Sequence, residues 1–144
     1  MPRRKLSRKP SRLIAQALDD LAEIERDPRY VIEMENYFHR PFGDGCVVCF
    51  AGAVMAKSLG ASSDLEYQTS HFPDERIRLL ALDQFRSGAI ADGLDYINLG
   101  RGKVAERKRR ALPFSMKVPP YSENRLGFKL AMRRMIRMFE AVGL

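Results

Sequence analysis

Cys46-Val-Val-Cys49 is the segment whose residue types and spacing point most directly to chemistry. Two thiols separated by two residues converge on one metal ion when the chain turns into a helix at that point. The helix start also favours the negative charge of the thiolates. The pair opens an eleven-residue apolar run, Cys46 to Ala56, after the turn-forming stretch Pro41-Phe-Gly-Asp-Gly45. That run is long for a strand and short of a bilayer span, so it predicts a buried helix from Cys46 to about Leu59, closed by Gly60. His39 is the nearest further ligand, so His39, Cys46 and Cys49 form the candidate zinc set, with no obvious fourth member. The competing reading makes both cysteines small buried hydrophobes, with Ala51-Gly52-Ala53 admitting a neighbouring backbone. The second reading is preferred, so the chain is expected to carry no metal and no cofactor.

Other constellations offer less. Gly100-Arg-Gly-Lys103 does not match the G-x-x-x-x-G-K-[ST] spacing of a phosphate loop, because Ile occupies 97 and Val104 follows the lysine. Ser58, Ser62 and Ser63 have no His-plus-acid partner close in sequence, which leaves a hydrolase triad unsupported. Asp92, Asp95 and Tyr96 read as a solvated helix end, with a lined site as the alternative.

The basic residues carry a clearer signal. The chain of 144 residues has a net charge of +7, but the charge is segregated. Residues 1–12 hold six basic side chains and no acid, whereas residues 13–100 hold seven basic and fifteen acidic ones. Residues 101–110 hold six basic and one acidic, and residues 111–144 six basic and two acidic. Clustered Lys and Arg attract polyanions by counterion release. Arg101, Lys103, Arg107, Lys108, Arg109 and Arg110 are the first candidates for such contacts, followed by Arg133, Arg134 and Arg137 on the last helix. Phe114 and Tyr121 lie near the first group, where stacking would need them. Against this, a basic run is often only a solvated surface, and the last helix could instead pair with the acidic body.

The positioning elements follow from periodicity. Leu13, Ile14, Ala17, Leu18, Leu21 and Ile24 predict an amphipathic helix over 11–26, capped by Ser11 and ended by Asp27-Pro28. Alternation over Tyr30–Phe38 predicts a short strand with one wet face. Pro73-Asp-Glu75 opens a helix to about Ser87, Gly88 interrupts it, and a short helical piece continues to Gly93. Residues 96–118 have no firm pattern, with a weak strand at Leu112–Val118. A last helix spans 122–142, with Leu126, Leu130, Ile136 and Phe139 on its apolar side and Lys129, Arg133, Arg134 and Arg137 on its basic side. The expected fold is mainly α and helix-rich, with α+β as the alternative: a single domain of about four helices with one or two short strands. Residues 1–10 are expected as a flexible basic tail and 11–144 as the globular domain. At 45% hydrophobic and 30% charged, the composition is globular. The longest apolar run is too short for a membrane span, and two vicinal cysteines make no disulfide framework, which points to a reduced cytoplasm.

Two resemblances bear on function. Cys46-Val-Val-Cys-Phe-Ala-Gly-Ala-Val-Met-Ala-Lys-Ser58 resembles the P-C-x-x-C element of zinc nucleotide deaminases, in the tRNA adenosine deaminase branch. That family's H-x-E, which supplies the third ligand and the proton carrier, is not matched: the two histidines read His39-Arg40-Pro41 and His71-Phe72-Pro73, and Gly45 replaces the proline. More broadly, the C-x-V-C-x-A-G-A-V-M-A segment, Phe72-Pro-Asp…Leu79-Leu-Ala-Leu-Asp83…Gly88 and the ending Ala141-Val-Gly-Leu144 resemble a group of small uncharacterised phage and prophage proteins. This resemblance implies a viral accessory protein in the host cytoplasm and transfers no catalytic residues. The leading expectation is therefore a non-enzymatic binding protein whose basic segments engage nucleic acid or an acidic host protein. A homodimer is possible and no membrane is involved. The alternative is a zinc-binding or deaminase-like protein built on the C-x-x-C segment.

Overall fold

The computed structural model describes residues 5–34, 46–60, 73–97 and 103–144, with the backbone alone at 46–48, 73 and 74. Among these residues the chain is helix-rich, as expected. Helix α1 spans Pro10–Glu25 and buries Leu13, Ile14, Ala17, Leu21 and Ile24. Its start differs from expectation: Lys9 is the N-cap residue and Pro10 occupies the first turn, where its missing N–H costs nothing. Ser11 instead donates its hydroxyl to the Leu144 carbonyl at 2.6 Å, tying the start of α1 to the far end of the chain. Leu6 is buried in the same core, and Gln16 Nε2 donates to the Lys5 carbonyl, so residues 5–9 lie against α1. The packed part of the chain thus begins before residue 11.

The apolar run at 46–56 departs most from expectation. It does not form one helix. Cys46–Val48 is a strand, β2, parallel to β1 at Tyr30–Ile32, in register Tyr30 with Cys46, Val31 with Val47 and Ile32 with Val48. Helix α2 starts only at Phe50 and runs to Lys57, with Cys49 as its N-cap in extended conformation. A short apolar run has no periodicity that separates a buried helix from a buried strand. The backbone groups of β1 decide it by supplying partners for the first three residues. The turn expected at 41–45 and the end of the strand expected at Phe38 lie outside the described residues.

Helix α3, Pro73–Ser87, and helix α4, Ile90–Asp95, fall where the sequence places them. The Gly88 hinge between them has φ +87°, and a Cβ there would sit 2.0 Å from the Met116 carbonyl oxygen. Only glycine satisfies both conditions. Helix α5, Lys103–Arg110, has no counterpart among the expected elements. It buries only Ala105, so it leaves no apolar period to read, although Lys, Ala, Glu and Arg all favour helix. Residues 112–118, expected as a weak strand, form none; they bond to the α3–α4 hinge through Met116 N–H to Gly88 O at 2.9 Å and Ala91 N–H to Phe114 O at 3.0 Å.

Helix α6, Arg125–Ala141, is capped by Asn124, whose side chain accepts from Gly127 N–H at 2.8 Å. Its packed face is Phe128, Ala131, Met132, Met135 and Phe139. Helix α1 packs on both α2 and α6, and α3 packs on α2 and α4. Phe50 and Tyr121 both meet Phe128 edge-on at 5.6 Å, and Phe85 meets Phe139 at 5.2 Å. Each fully buried ring contributes about 2–3 kcal/mol by removal from water. One core thus joins residues from Leu6 to Leu144.

Candidate functional site

Helical geometry sorts the candidate cations of α5. At 100° per residue, Lys103, Arg107 and Arg110 fall on one side, opposite the buried Ala105. All three are exposed. Lys108 and Arg109 flank Ala105 and turn to the body. Arg109 donates to Asp95 at 2.9 Å and to the Leu94 carbonyl at 3.2 Å, which clamps α5 onto α4. Lys108 is half-buried, with Nζ beside Gly143 at the end of α6, where a cation suits the exposed carbonyls of the helix terminus. Glu106 stands beside the outer stripe but reaches Arg110 only at 4.0 Å, with both side chains mostly in solvent. The basic run thus divides: Arg109 ties α5 to α4 and Lys108 turns toward the end of α6, while Lys103, Arg107 and Arg110 face outward. Arg101 lies outside the described residues.

Helix α6 shows a second division. Lys129, expected on the basic face, turns inward and donates to Glu25 of α1, which also accepts the Tyr121 hydroxyl at 2.7 Å. Burial alone would raise the Glu25 carboxyl. The Lys129 ammonium and the Tyr121 hydroxyl outweigh it and hold Glu25 below its ordinary value of 4.5. Burial, then the Glu25 charge, pushes the Tyr121 hydroxyl up. Tyr121 is therefore a core strut and offers no face for stacking. Arg133, Arg134 and Arg137 are exposed, with no ion pair to a described residue. Leu126 and Leu130, expected on the apolar side, share that outer face at 64% and 49% exposure. A helix with a Phe128–Met132–Met135–Phe139 seam has no room left at the core for residues half a turn away.

The other expected sites resolve as follows. Cys49 is buried, its sulfur accepts from Gly52 N–H at 3.5 Å, and burial pushes its thiol up to about 11. His39 and the Cys46 side chain lie outside the described residues, and among the described residues no three His, Cys, Asp or Glu gather as a metal site. Ser58 is fully buried. It donates to Asp20 and accepts from Gln16 at 3.2 Å, a tie between α1 and α2 beyond a substrate's reach. Ser62 and Ser63 are outside the described residues. Asp27 binds both Arg29 and Lys57, at 2.7 and 3.0 Å, joining the end of α1 to α2; these bonds, led by Arg29, hold its carboxyl far below the ordinary range.

Two hollows border these elements. One, of about 430 Å³, lies between β1 and residues 118–122, with Arg86 at its edge already bonded to Asp83 at 2.8 Å. The other, of about 420 Å³, lies at the foot of α5, between α4 and residues 112–114. Phe114 at its edge is 82% exposed, the most exposed of the large hydrophobic residues described. The sequence placed Phe114 and Tyr121 together as aromatics near the basic run; their burial separates them. No described helix is long and apolar enough to cross a membrane. Comparison with known protein families, with curated proteins and with solved structures finds no match.

Proposed function

We propose that this protein is a non-enzymatic binding protein, an accessory factor of the kind the phage resemblance implies, whose basic helix faces engage nucleic acid. The observation that carries the reading is the outer stripe of α5. Lys103, Arg107 and Arg110 stand in solvent, with only the loose Arg110–Glu106 contact at 4.0 Å among them, while their neighbour Arg109 is bonded to α4 and Lys108 turns toward α6. Cations at i, i+4 and i+7 repel one another and do nothing for the fold. A phosphate backbone neutralises such a row and releases its counterions. Charge speeds the encounter, and occupancy is the mechanism.

Electrophoretic or anisotropy titration with RNA and DNA oligomers at low salt tests this. Binding should weaken with salt, with a log–log slope of about −2 for three phosphate contacts on a single strand. No binding at low salt overturns the nucleic-acid reading. A second reading, an acidic protein partner, draws on Leu126 and Leu130 among the free arginines of α6, a surface suited to an acidic amphipathic helix. Capture from host lysate with and without nuclease separates the two.

A further inference from the structure

The hollow at the foot of α5 has an organised chemistry of its own. Leu94 and Leu112, both buried, sit behind it, and Pro113 and Phe114 form its apolar lip. Arg109 and Arg110 of α5 and Asp92 and Asp95 of α4 complete its lining. The lip is held in place from both directions. The Phe114 carbonyl accepts from Ala91 N–H at 3.0 Å, and Met116 N–H donates to the Gly88 carbonyl at 2.9 Å. The Gly88 hinge leaves no room for a side chain there. Phe114 is therefore an exposed ring on a backbone already ordered, and a ligand that stacks on it meets little ordering cost.

Charge gives the hollow a direction. Asp95 is neutralised by Arg109, at 2.9 Å, but Asp92 is an exposed carboxylate without an ion pair to a described residue. A phosphate is repelled from the Asp92 side and drawn to the outer stripe of α5. A flat ring bearing N–H donors has the complementary character: a face for Phe114 and an edge for Asp92. At about 420 Å³ the space is at the low end of the ~300–1,000 Å³ usual for small-ligand sites, which suits one ring system better than a stack of pairs. We infer that this hollow receives one unpaired nucleobase of a single strand, stacked on Phe114, while the neighbouring phosphates lie on Lys103, Arg107 and Arg110. A duplex keeps its base faces stacked on one another and offers Phe114 none. The inference rests on the nucleic-acid reading above and deepens it to a preference for single strands.

The chain contains no tryptophan, so Phe114→Trp places a sole fluorescent indole at the lip. The full chain, Phe114→Ala, Phe114→Trp and the triple variant Lys103→Glu/Arg107→Glu/Arg110→Glu are titrated with a labelled single strand of about twelve nucleotides, within the ~4–16 of known single-strand sites, and with a hairpin duplex. The full chain should favour the single strand. Phe114→Ala should weaken single-strand binding roughly tenfold and leave duplex binding unchanged, and the Phe114→Trp indole should be quenched as the single strand saturates. The triple variant should lose both ligands. Equal single-strand affinity in Phe114→Ala, or an indole indifferent to a strand that binds, overturns the stacking site and leaves the phosphate-binding reading standing. Failure of the full chain to bind either oligomer overturns both.

Discussion

The seam between α1, α2 and α6 and the outer edge of the molecule at α5 use the same residue types in opposite ways. In the seam, each described Lys is matched: Lys129 with Glu25, and Lys57 with Asp27 at 3.0 Å and over the Tyr30 ring at 5.4 Å. The seam's aromatic rings are interlocked, and its cysteine is sealed from solvent. At α5, Lys103, Arg107 and Arg110 face solvent, and the Phe114 ring beside the helix foot is exposed on a hydrogen-bonded backbone. A half-buried charge must have a partner or it destabilises the fold. A solvated one has no such requirement, and remains available. Charge count alone is thus a poor guide to a binding surface; what matters is which charges the packing has already consumed.

The sharpest way to test the contrast is to strike the seam's centre. Phe128→Ala removes a ring that contacts both Phe50 and Tyr121 and should cost about 3–5 kcal/mol in urea unfolding. A loss under 1 kcal/mol would show that this packing is not what holds α6 to the core. Next comes the seam's buried charge. Glu25→Gln should cost about 1–3 kcal/mol at neutral pH, because it leaves Lys129 half-buried without its carboxylate. The same variant should change the acid limb. The folded Glu25 carboxyl lies below its ordinary value, so its stabilisation is complete above about pH 4.5 and fades as pH falls below that. The melting temperature of Glu25→Gln should therefore approach that of the parent chain as pH drops toward 3, and parallel curves would refute the assignment.

A gentler probe is chemical. In a Cys46→Ala background, with the Cys49 thiol raised from 9.0 to about 11, the thiolate at pH 8 is about a hundredfold scarcer than for a free thiol. Alkylation should be slow until denaturant is added, and rapid labelling of the folded protein would revive the metal-ligand reading. The smallest effect belongs to the outer edge. Alanine at Lys103, Arg107 and Arg110 together should leave the urea midpoint nearly unchanged, because these side chains are exposed and the loose, solvated Arg110–Glu106 pair contributes little. A clear loss of stability would show that these side chains serve the fold, and would remove the contrast on which the binding proposal rests.

Much of the scaffold is legible in the residues. Helix α1, helix α3, the Gly88 break and helix α6 all carry strong periodicity or punctuation, and in α1 burial follows the apolar stripe. The failures have separate causes. Cys46–Val48 is a strand because β1 offers it partners from elsewhere in the chain, which no local pattern encodes. Helix α5 carries no apolar period, because it buries one alanine. Leu126 and Leu130 are apolar enough to predict an inward face, but the row of Phe128, Met132, Met135 and Phe139 already fills the seam. At the candidate site, residue types and their clustering were visible, but not their division into holding and free groups.

By itself, the sequence determined the helix-rich class, the charge segregation and the segments where cations concentrate, because these depend on composition and short-range order along the chain. Only the tertiary structure decided that Cys49 is sealed in the core, that Tyr121 is a strut while Phe114 is displayed, and that Lys103, Arg107 and Arg110 face solvent while Arg109 and Lys129 are bonded to neighbouring helices. Those distinctions rest on contacts between residues far apart in sequence, such as Glu25 with Lys129 and Gly88 with Met116, whose energies exist only once the chain has closed on itself.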